Sequence, residues 1–470
     1  MTLPSSHADA ILQTIADYVC QPFEPSEEAI ATARLCLLDS IGCAVAALDH
    51  PACTRLLGPT LPGTRVPKGA RVIGSGELLD PVKAAFDATT LIRWLDYNDT
   101  WLAAEWAHPS DNLGALLAIA DWRCRNGHVV TLGQLLNAMI QSYEIQGVLA
   151  LGNAFNRVGL DHVLLVKVAS CAVVMRMLGG SRDDVINAVS HAWLDGTPLR
   201  VYRHAPNAGP RKSWAAGDAA SRAVWLALLT HKGELGYPTS ITTPIWGFQD
   251  TLFRGQSVVL AQPLGSYVME HILFKVAHPA EFHGQTAVEA AIELHPQLIG
   301  RFDCIDHIDI STTEAALRII ARDGPLTNPA ARDHCLQYMT AVALLRGNLT
   351  AADYEDDVGN DPRIERLRAR ISTAEHPQWS RDYLDPQRRS IANGIRIRFN
   401  DGSPDIAATV EFPLGHRLRR AEARPHLIDK FVRNSAQHLG AARQQALVEQ
   451  ILDPNNSTSP VSELVDQTVG

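Results

Sequence analysis

Histidine, carboxylate, lysine and arginine side chains gather at a few points of this sequence where proton transfer and anion binding become chemically feasible. In Arg93-Trp94-Leu95-Asp96-Tyr97-Asn98-Asp99-Thr100-Trp101 a helical pattern ends in carboxylate, amide and hydroxyl groups, and His108-Pro109 follows closely. Asp and Asn are poor helix-interior residues, so both pieces belong to one polar, aromatic-lined connection, a kind of loop that often carries chemistry. A carboxylate can orient an imidazole and tune its pKa toward neutrality, which makes Asp96 with His108 a candidate proton-transfer pair. An Asp that caps a turn beside a His that fills a rim fits the spacing equally well.

Cations also collect where helices are expected to begin. Arg211 and Lys212 precede Ser213, a candidate cap; Lys275, His278 and His283 crowd the start of a helix near Gly284; Arg332 and His334 follow the Asn328-Pro329 cap; His108 stands just before Pro109, with Ser110 or Asp111 as cap. A helix start is partly positive and disfavours cations unless an anion joins them, and its free N–H groups form a ready anion site. One such start usually has its basic residue pointing to water; several converging would hold a polycarboxylate. On the helix expected after Pro329, His334 and Tyr338 share a face, and a phenol beside an imidazole could protonate a leaving hydroxyl, although such a Tyr is more often core.

The elements that must position these groups are mostly helices. From about Ala8 to Leu260 apolar residues recur with helical period, Pro and Gly marking the breaks, which predicts helices over 26–48, 81–96, 111–125, 132–149, 161–178, 182–194 and 213–230. Gly74-Ser75-Gly76 reads as a turn rather than a dinucleotide fingerprint. Strand patterns appear later, at Ile305, Ile308 and Ile310, and at Ile395, Ile397 and Phe399, with Asn400-Asp401-Gly402 turning into Ile406 to Phe412 as a hairpin. Helices at 284–294 and 329–346 are interleaved with them. The expected fold is mainly α: a large all-helical domain over 1–265, a smaller α+β domain over 266–408, and a return to the helical domain over 409–470. That return carries a helix from about His426 to Ile451, and a polar stretch, Asn455 to Ser459, expected to fray.

Composition narrows the function. The 470 residues carry 42 Lys plus Arg against 51 Asp plus Glu, a net charge of −9, the wrong sign for a protein that coats nucleic acid. No apolar run was expected to reach membrane-spanning length, the richest, Leu164 to Leu178, being broken by Lys167 and Arg176. The N-terminus lacks a basic region followed by an apolar one, so a cytoplasmic address is expected. The eight cysteines form no Cys-x-x-Cys pair and read as reduced thiols; no metal or cofactor motif stands out.

Taken together, Asp96 to Trp101 leading to His108-Pro109-Ser110-Asp111-Asn112, Arg211-Lys212-Ser213-Trp214-Ala215-Ala216-Gly217-Asp218, Phe274-Lys275 with Pro279-Ala280-Glu281-Phe282-His283, and Asn328 to Tyr338 resemble the MmgE/PrpD family over nearly the whole chain. The resemblance implies a cofactor-independent homodimer with a helical domain and an α+β lid. It also implies a cationic cleft whose catalytic residues are His108, Asp96, Lys212 and Tyr338, with Thr100, Lys275, His283 and Arg211 binding substrate. The activity it implies is loss of water from the tricarboxylate 2-methylcitrate, giving 2-methyl-cis-aconitate. Alternatives within the family are decarboxylation of cis-aconitate to itaconate and epimerisation of a small dicarboxylate. Outside it stands a helical protein that binds an anion without chemistry. Two departures from the decarboxylases bear on the choice: a longer connection between Thr100 and His108, and Glu281 where that branch carries a histidine.

Overall fold

The computed structural model describes residues 7–196, 198–204, 206 and 209–469; Met1 to Ser6, within the N-terminus expected to lack a secretory signal, lie outside them. Two apolar cores organise the chain. The first gathers helices Ala10–Cys20, Glu27–Ala47, Pro81–Arg93, Leu113–Arg125, Leu132–Gly152, Val163–Met177, Arg182–Leu194 and Arg211–His231. The C-terminal helices Arg420–Ser435, Ala441–Leu452 and Val461–Gln467 return to it through Leu427, Phe431, Leu447, Ile451 and Leu464. The second core is built from helices Gln285–Leu298 and Leu336–Arg346 and a four-stranded sheet. The fold is mainly α with a smaller α+β part.

Local chemistry sets the helix boundaries. Ser26 caps Glu27–Ala47 by accepting from Ala29 N–H, with Glu27 and Glu28 in the first turn. Asp80 accepts from Val82 and Lys83 N–H at the start of Pro81–Arg93. Reciprocal capping boxes open the next pair, Thr131 with Gln134 and Ser181 with Asp184. In the sheet the order is 371–375, 305–312, 393–399, 406–410, the first pair parallel and the others antiparallel. Ile395 and Ile397 are buried while Arg396 and Arg398 face out, the alternation a half-covered strand requires. The sheet runs to Val410, just past the expected boundary at 408.

Several expectations need correction. Glu27–Ala47 is long and apolar enough by length and composition to cross a membrane, although no run of that length was expected; most of it is buried between other helices, the position of a central core helix. Ser213 caps nothing: the helix starts at Arg211, so Lys212 stands inside its first turn. The helix expected over 329–346 is two, Pro329–Arg332 and Leu336–Arg346, broken where Cys335 is extended, with Asp333 and His334 just before the break meeting Lys212. His334 and Tyr338 therefore share no helix face. The C-terminal helix begins at Arg420 rather than His426. Asn455 to Ser459 does not fray: the Ser457 and Ser459 carbonyls accept from Gly133 and Leu132 N–H, and Asn456 O accepts from Arg34. The Gly74 turn does connect a short pair of strands, Ala70–Arg71 and Leu78–Leu79.

Close helix packing brings the chemistry together. A Cβ on Gly217 would lie 2.3 Å from the Thr90 hydroxyl and 2.8 Å from the Phe86 carbonyl, so only glycine lets Arg211–His231 cross Pro81–Arg93 at this depth. That crossing delivers Lys212 to the residues after Arg93. From the opposite end of the chain, buried Lys430 pairs with Asp39 at 2.7 Å and donates to the Tyr97 and Lys275 carbonyls, each at 2.7 Å. One ammonium thus ties helix Glu27–Ala47, the polar connection and the segment at Lys275. Replacing Lys430 with Met strands the Asp39 charge and both carbonyls, and is expected to lower unfolding free energy by about 3–5 kcal/mol in urea titrations.

Candidate active site

Asp96 ends the Pro81–Arg93 segment in the left-handed region, with φ +50°, a conformation that Asp tolerates better than most non-glycine residues. The turn aims its carboxylate into a group of cations. Arg93 Nη1 lies 2.6 Å away, Lys275 Nζ 2.8 Å, Lys212 Nζ 3.4 Å and His108 Nε2 3.7 Å. Burial alone would push the Asp96 carboxyl up, but Arg93, Lys275, Lys212 and His108 together hold it well below the ordinary carboxylate range. Lys212 also reaches Asp333 at 2.7 Å and His334 Nδ1 at 3.0 Å. Asp96, Asp333 and His334 offer ligand atoms within 4.8 Å of one another, a spacing suited to a metal ion, and the cation standing among them is the Lys212 ammonium.

His108 is fixed by other partners than the carboxylate expected to orient it. Its Nδ1 sits 2.7 Å from the Asp99 carbonyl, which only accepts, so Nδ1 carries the proton, with the Thr100 hydroxyl 3.1 Å away. Nε2 is then a lone-pair nitrogen, and it accepts from Arg93 Nη2 at 3.1 Å. Burial first, then Arg93, keep the His108 imidazole well below its ordinary pKa despite Asp96. Asp99 in turn accepts from Ser110 and Tyr143, which pins the connection that carries both residues. A second imidazole, His162, is buried, with its ring 5.8 Å from that of His108 and neither ring nitrogen hydrogen-bonded to a described residue.

These groups border a narrow cavity of about 20 Å³, walled by Arg93, Asp96, Thr100, His108 and His162 from the helical part and by Lys275, Glu281 and His334 from the other side. Arg200 and Arg203, both paired with buried Asp161, close its outer end together with Trp106. A wider chamber of about 320 Å³ opens beyond them and shares Trp106, Arg200, Arg203 and His334 with the inner one. It adds Arg157, Arg318, Arg322 and His204, and among the described residues lining it there is no carboxylate. Four chain segments that begin or precede helical turns converge here: His108, Lys212, Glu281 and His334.

Comparison with known proteins agrees with this architecture. Residues 13–261 match the MmgE/PrpD N-terminal domain and residues 278–454 the MmgE/PrpD C-terminal domain. The chain belongs to the MmgE/PrpD family. It is similar to the 2-methylcitrate dehydratase of Escherichia coli K12, 54% identical over 467 residues and 97% of each chain. It is 56% identical to that of Cupriavidus necator, over 97% of this chain and 96% of the relative. A mitochondrial 2-methylcitrate dehydratase of Yarrowia lipolytica is 50% identical over 98% of this chain and 90% of its own.

Of the residues singled out in this MmgE/PrpD chain, the structure brings Asp96, Thr100, His108 and Lys275 to the cavity wall and holds Lys212 beside them. It does not bring the others. Arg211 is turned outward, paired with Asp218 at 2.9 Å and stacked 4.3 Å over Trp214. His283 stands behind Glu281, its Nδ1 2.9 Å from that carboxylate. Tyr338 donates to the Asp353 carbonyl and packs near Tyr354, because the helix that carries it starts only at Leu336. Arg93, His162, Arg200, Arg203 and Asp333 escaped notice as site residues. Their signals were faint: an Arg three residues before Asp96, an Asp161-His162 pair inside an apolar pattern, and two arginines spaced three apart.

Protonation of the two cavity imidazoles should be legible in stability. Burial holds both His108 and His162 well below the ordinary histidine pKa. Unfolding therefore takes up protons once the pH drops below the unfolded value of about 6.5, and stability falls on acidification by about 1.4 kcal/mol per pH unit for each histidine. Urea titrations between pH 8 and 5 should give this slope, and a variant with both residues changed to Gln should lose that part of it.

Proposed function

We propose that this chain removes water from 2-methylcitrate to give 2-methyl-cis-aconitate, as the names of its relatives say of them. The observation that carries the reading is the set of buried cations around Asp96, opening onto one cavity that also holds a neutral, positioned imidazole. Elimination removes a proton α to a carboxylate and a hydroxyl β to it. Loss of that proton builds an enediolate, and preorganised cations are the strongest means of stabilising it. Arg93, Lys212 and Lys275 supply them. A substrate carboxylate that engages Arg93 releases His108 Nε2, which takes the proton. Burial and Lys212 hold the His334 imidazole below its ordinary pKa, and three substrate carboxylates oppose that shift; His334, with Asp333 against its Nδ1 at 2.7 Å, is then the donor that turns the departing hydroxyl into water. This assignment replaces Tyr338, whose hydroxyl is committed to Asp353.

The 266–408 segment serves as a lid over this cleft, since a water-poor site strengthens every charge interaction in it. A homodimer is part of the reading, and the loop exposing Leu235, Tyr237, Ile245 and Trp246 is the surface that favours it. So is a cytoplasmic address.

Purified, metal-stripped protein incubated with 2-methylcitrate should gain alkene absorbance without release of carbon dioxide; gas evolved from cis-aconitate instead would favour the decarboxylase. His108→Ala should lower kcat by roughly 10²- to 10⁴-fold. Tyr338→Phe should leave kcat near that of the wild type, which separates this mechanism from one routed through the phenol.

A further inference from the structure

Two of the described residues on the cavity wall are carboxylates, an unexpected choice for a site that takes a tricarboxylate. They differ in what surrounds them. Asp96 is enclosed by Arg93, Lys275, Lys212 and His108, and its acceptor capacity is spent within the protein. Glu281 is held from one side only. His283 Nδ1 forks between its two oxygens at 2.9 and 3.1 Å, and the His283 backbone N–H donates to Oε2 at 2.9 Å. Each oxygen keeps lone pairs, and the side chain lines the cavity.

The residues behind Glu281 make its negative charge tolerable. His283 Nε2 lies 3.2 Å from the Tyr383 hydroxyl, which also reaches the Ala103 carbonyl at 3.4 Å, so the imidazole is fixed between Glu281 and Tyr383. With Nδ1 donating to Glu281, the imidazole holds the carboxylate, whose remaining acceptor sites face the cavity. Lys275 and His334 add to the field that keeps Glu281 ionised.

A substrate whose carboxylates are all ionised can only accept through them. Its hydroxyl is its single strong donor, and the product has none. We infer that Glu281, oriented by His283 and Tyr383, accepts the hydrogen bond of the substrate's hydroxyl and so selects hydroxylated tricarboxylates over their alkene and deoxy counterparts. The contact fixes the leaving oxygen and turns its lone pairs toward the proton donor. The inference rests on the dehydration reading above, which names the hydroxyl as leaving group.

The test compares 2-methylcitrate with propane-1,2,3-tricarboxylate, which lacks the hydroxyl. Glu281→Gln is expected to lower kcat/KM for 2-methylcitrate by about 10- to 100-fold, the range of a hydrogen bond to a charged group, while the inhibition constant of the deoxy compound holds or falls. A loss of affinity for the deoxy compound matching the loss of kcat/KM, or no change in either, overturns the assignment. A merely structural role would move both ligands together. Should the Gln variant not fold, Glu281→Asp, which withdraws the carboxylate by one methylene, must show the same selective loss; an equal loss for both ligands counts against the inference. Wild-type protein that forms no alkene from 2-methylcitrate would instead sink the dehydration reading itself, a separate outcome.

Discussion

Three full positive charges and an imidazole meet around the carboxylate of Asp96 in a region where water is scarce. Each would be expensive to bury alone, and together, without the anion, they would repel. The rest of the site follows from this balance. Because Asp96 must face Arg93, Lys212 and Lys275 at once, the chain turns through a positive φ at that residue. Because Lys212 comes from a different helix, that helix must cross closely, hence the glycine at 217. Because Lys275 arrives from the boundary between the two cores, its backbone is tied to the first by Lys430, which also holds the Tyr97 carbonyl. Before a substrate enters, Asp96 and Asp333 stand in for its carboxylates, so the cations are already held where an incoming polyanion needs them.

Much of the scaffold was readable from residues alone, since it rests on local rules: the helix over 26–48 that Ser26 caps, the alternation at Ile395 and Ile397, the turn at Asn400 to Gly402. The texture of the sequence changes near residue 265, while the first core continues through Val268, Ile272, Phe274 and Val276. The site was half legible. Asp96, His108 and Lys275 drew attention as polar residues in a connection or at a helix start, and they meet. Tyr338 stands apart from them with its hydroxyl on the Asp353 carbonyl, and Lys212 meets Asp333 from 121 residues away, a partner that no local pattern reports. Arg93, His162 and Arg203 were hidden for a related reason: a charged or polar residue inside an apolar helical pattern looks like a surface position until tertiary structure supplies its counter-charge, as Asp161 does for Arg203.

Tautomer assignment changes the chemical meaning of the Asp96 and His108 pair. Spacing suggested a carboxylate orienting an imidazole, whereas the Asp99 carbonyl does the orienting and Asp96 is 3.7 Å from the nitrogen that carries the lone pair. Asp96 therefore acts on His108 through the field and through Arg93, which it shares with the imidazole. In the proposed chemistry this makes Arg93 the coupling element. While it donates to Nε2 the base is masked, and a carboxylate that competes for the guanidinium unmasks it, so that basicity is tied to occupancy.

The distribution of charge beyond the cavity extends the same logic outward. The chain as a whole is acidic, at −9, and would repel a tricarboxylate at long range. The outer chamber reverses that sign locally, with Arg157, Arg318 and Arg322 outside the Asp161 pairs and no carboxylate among the described residues lining it. Low-dielectric walls focus such a field, raising the local concentration of an anion at the mouth. Further in, the cations are progressively neutralised, Arg203 by Asp161 and then Lys212 and Lys275 by Asp96. Attraction is thus strongest where capture must happen and more evenly balanced where bonds must break. A uniformly cationic pocket would bind substrate and product alike; a site that ends in balanced pairs and one acceptor can spend its binding on the reacting arrangement.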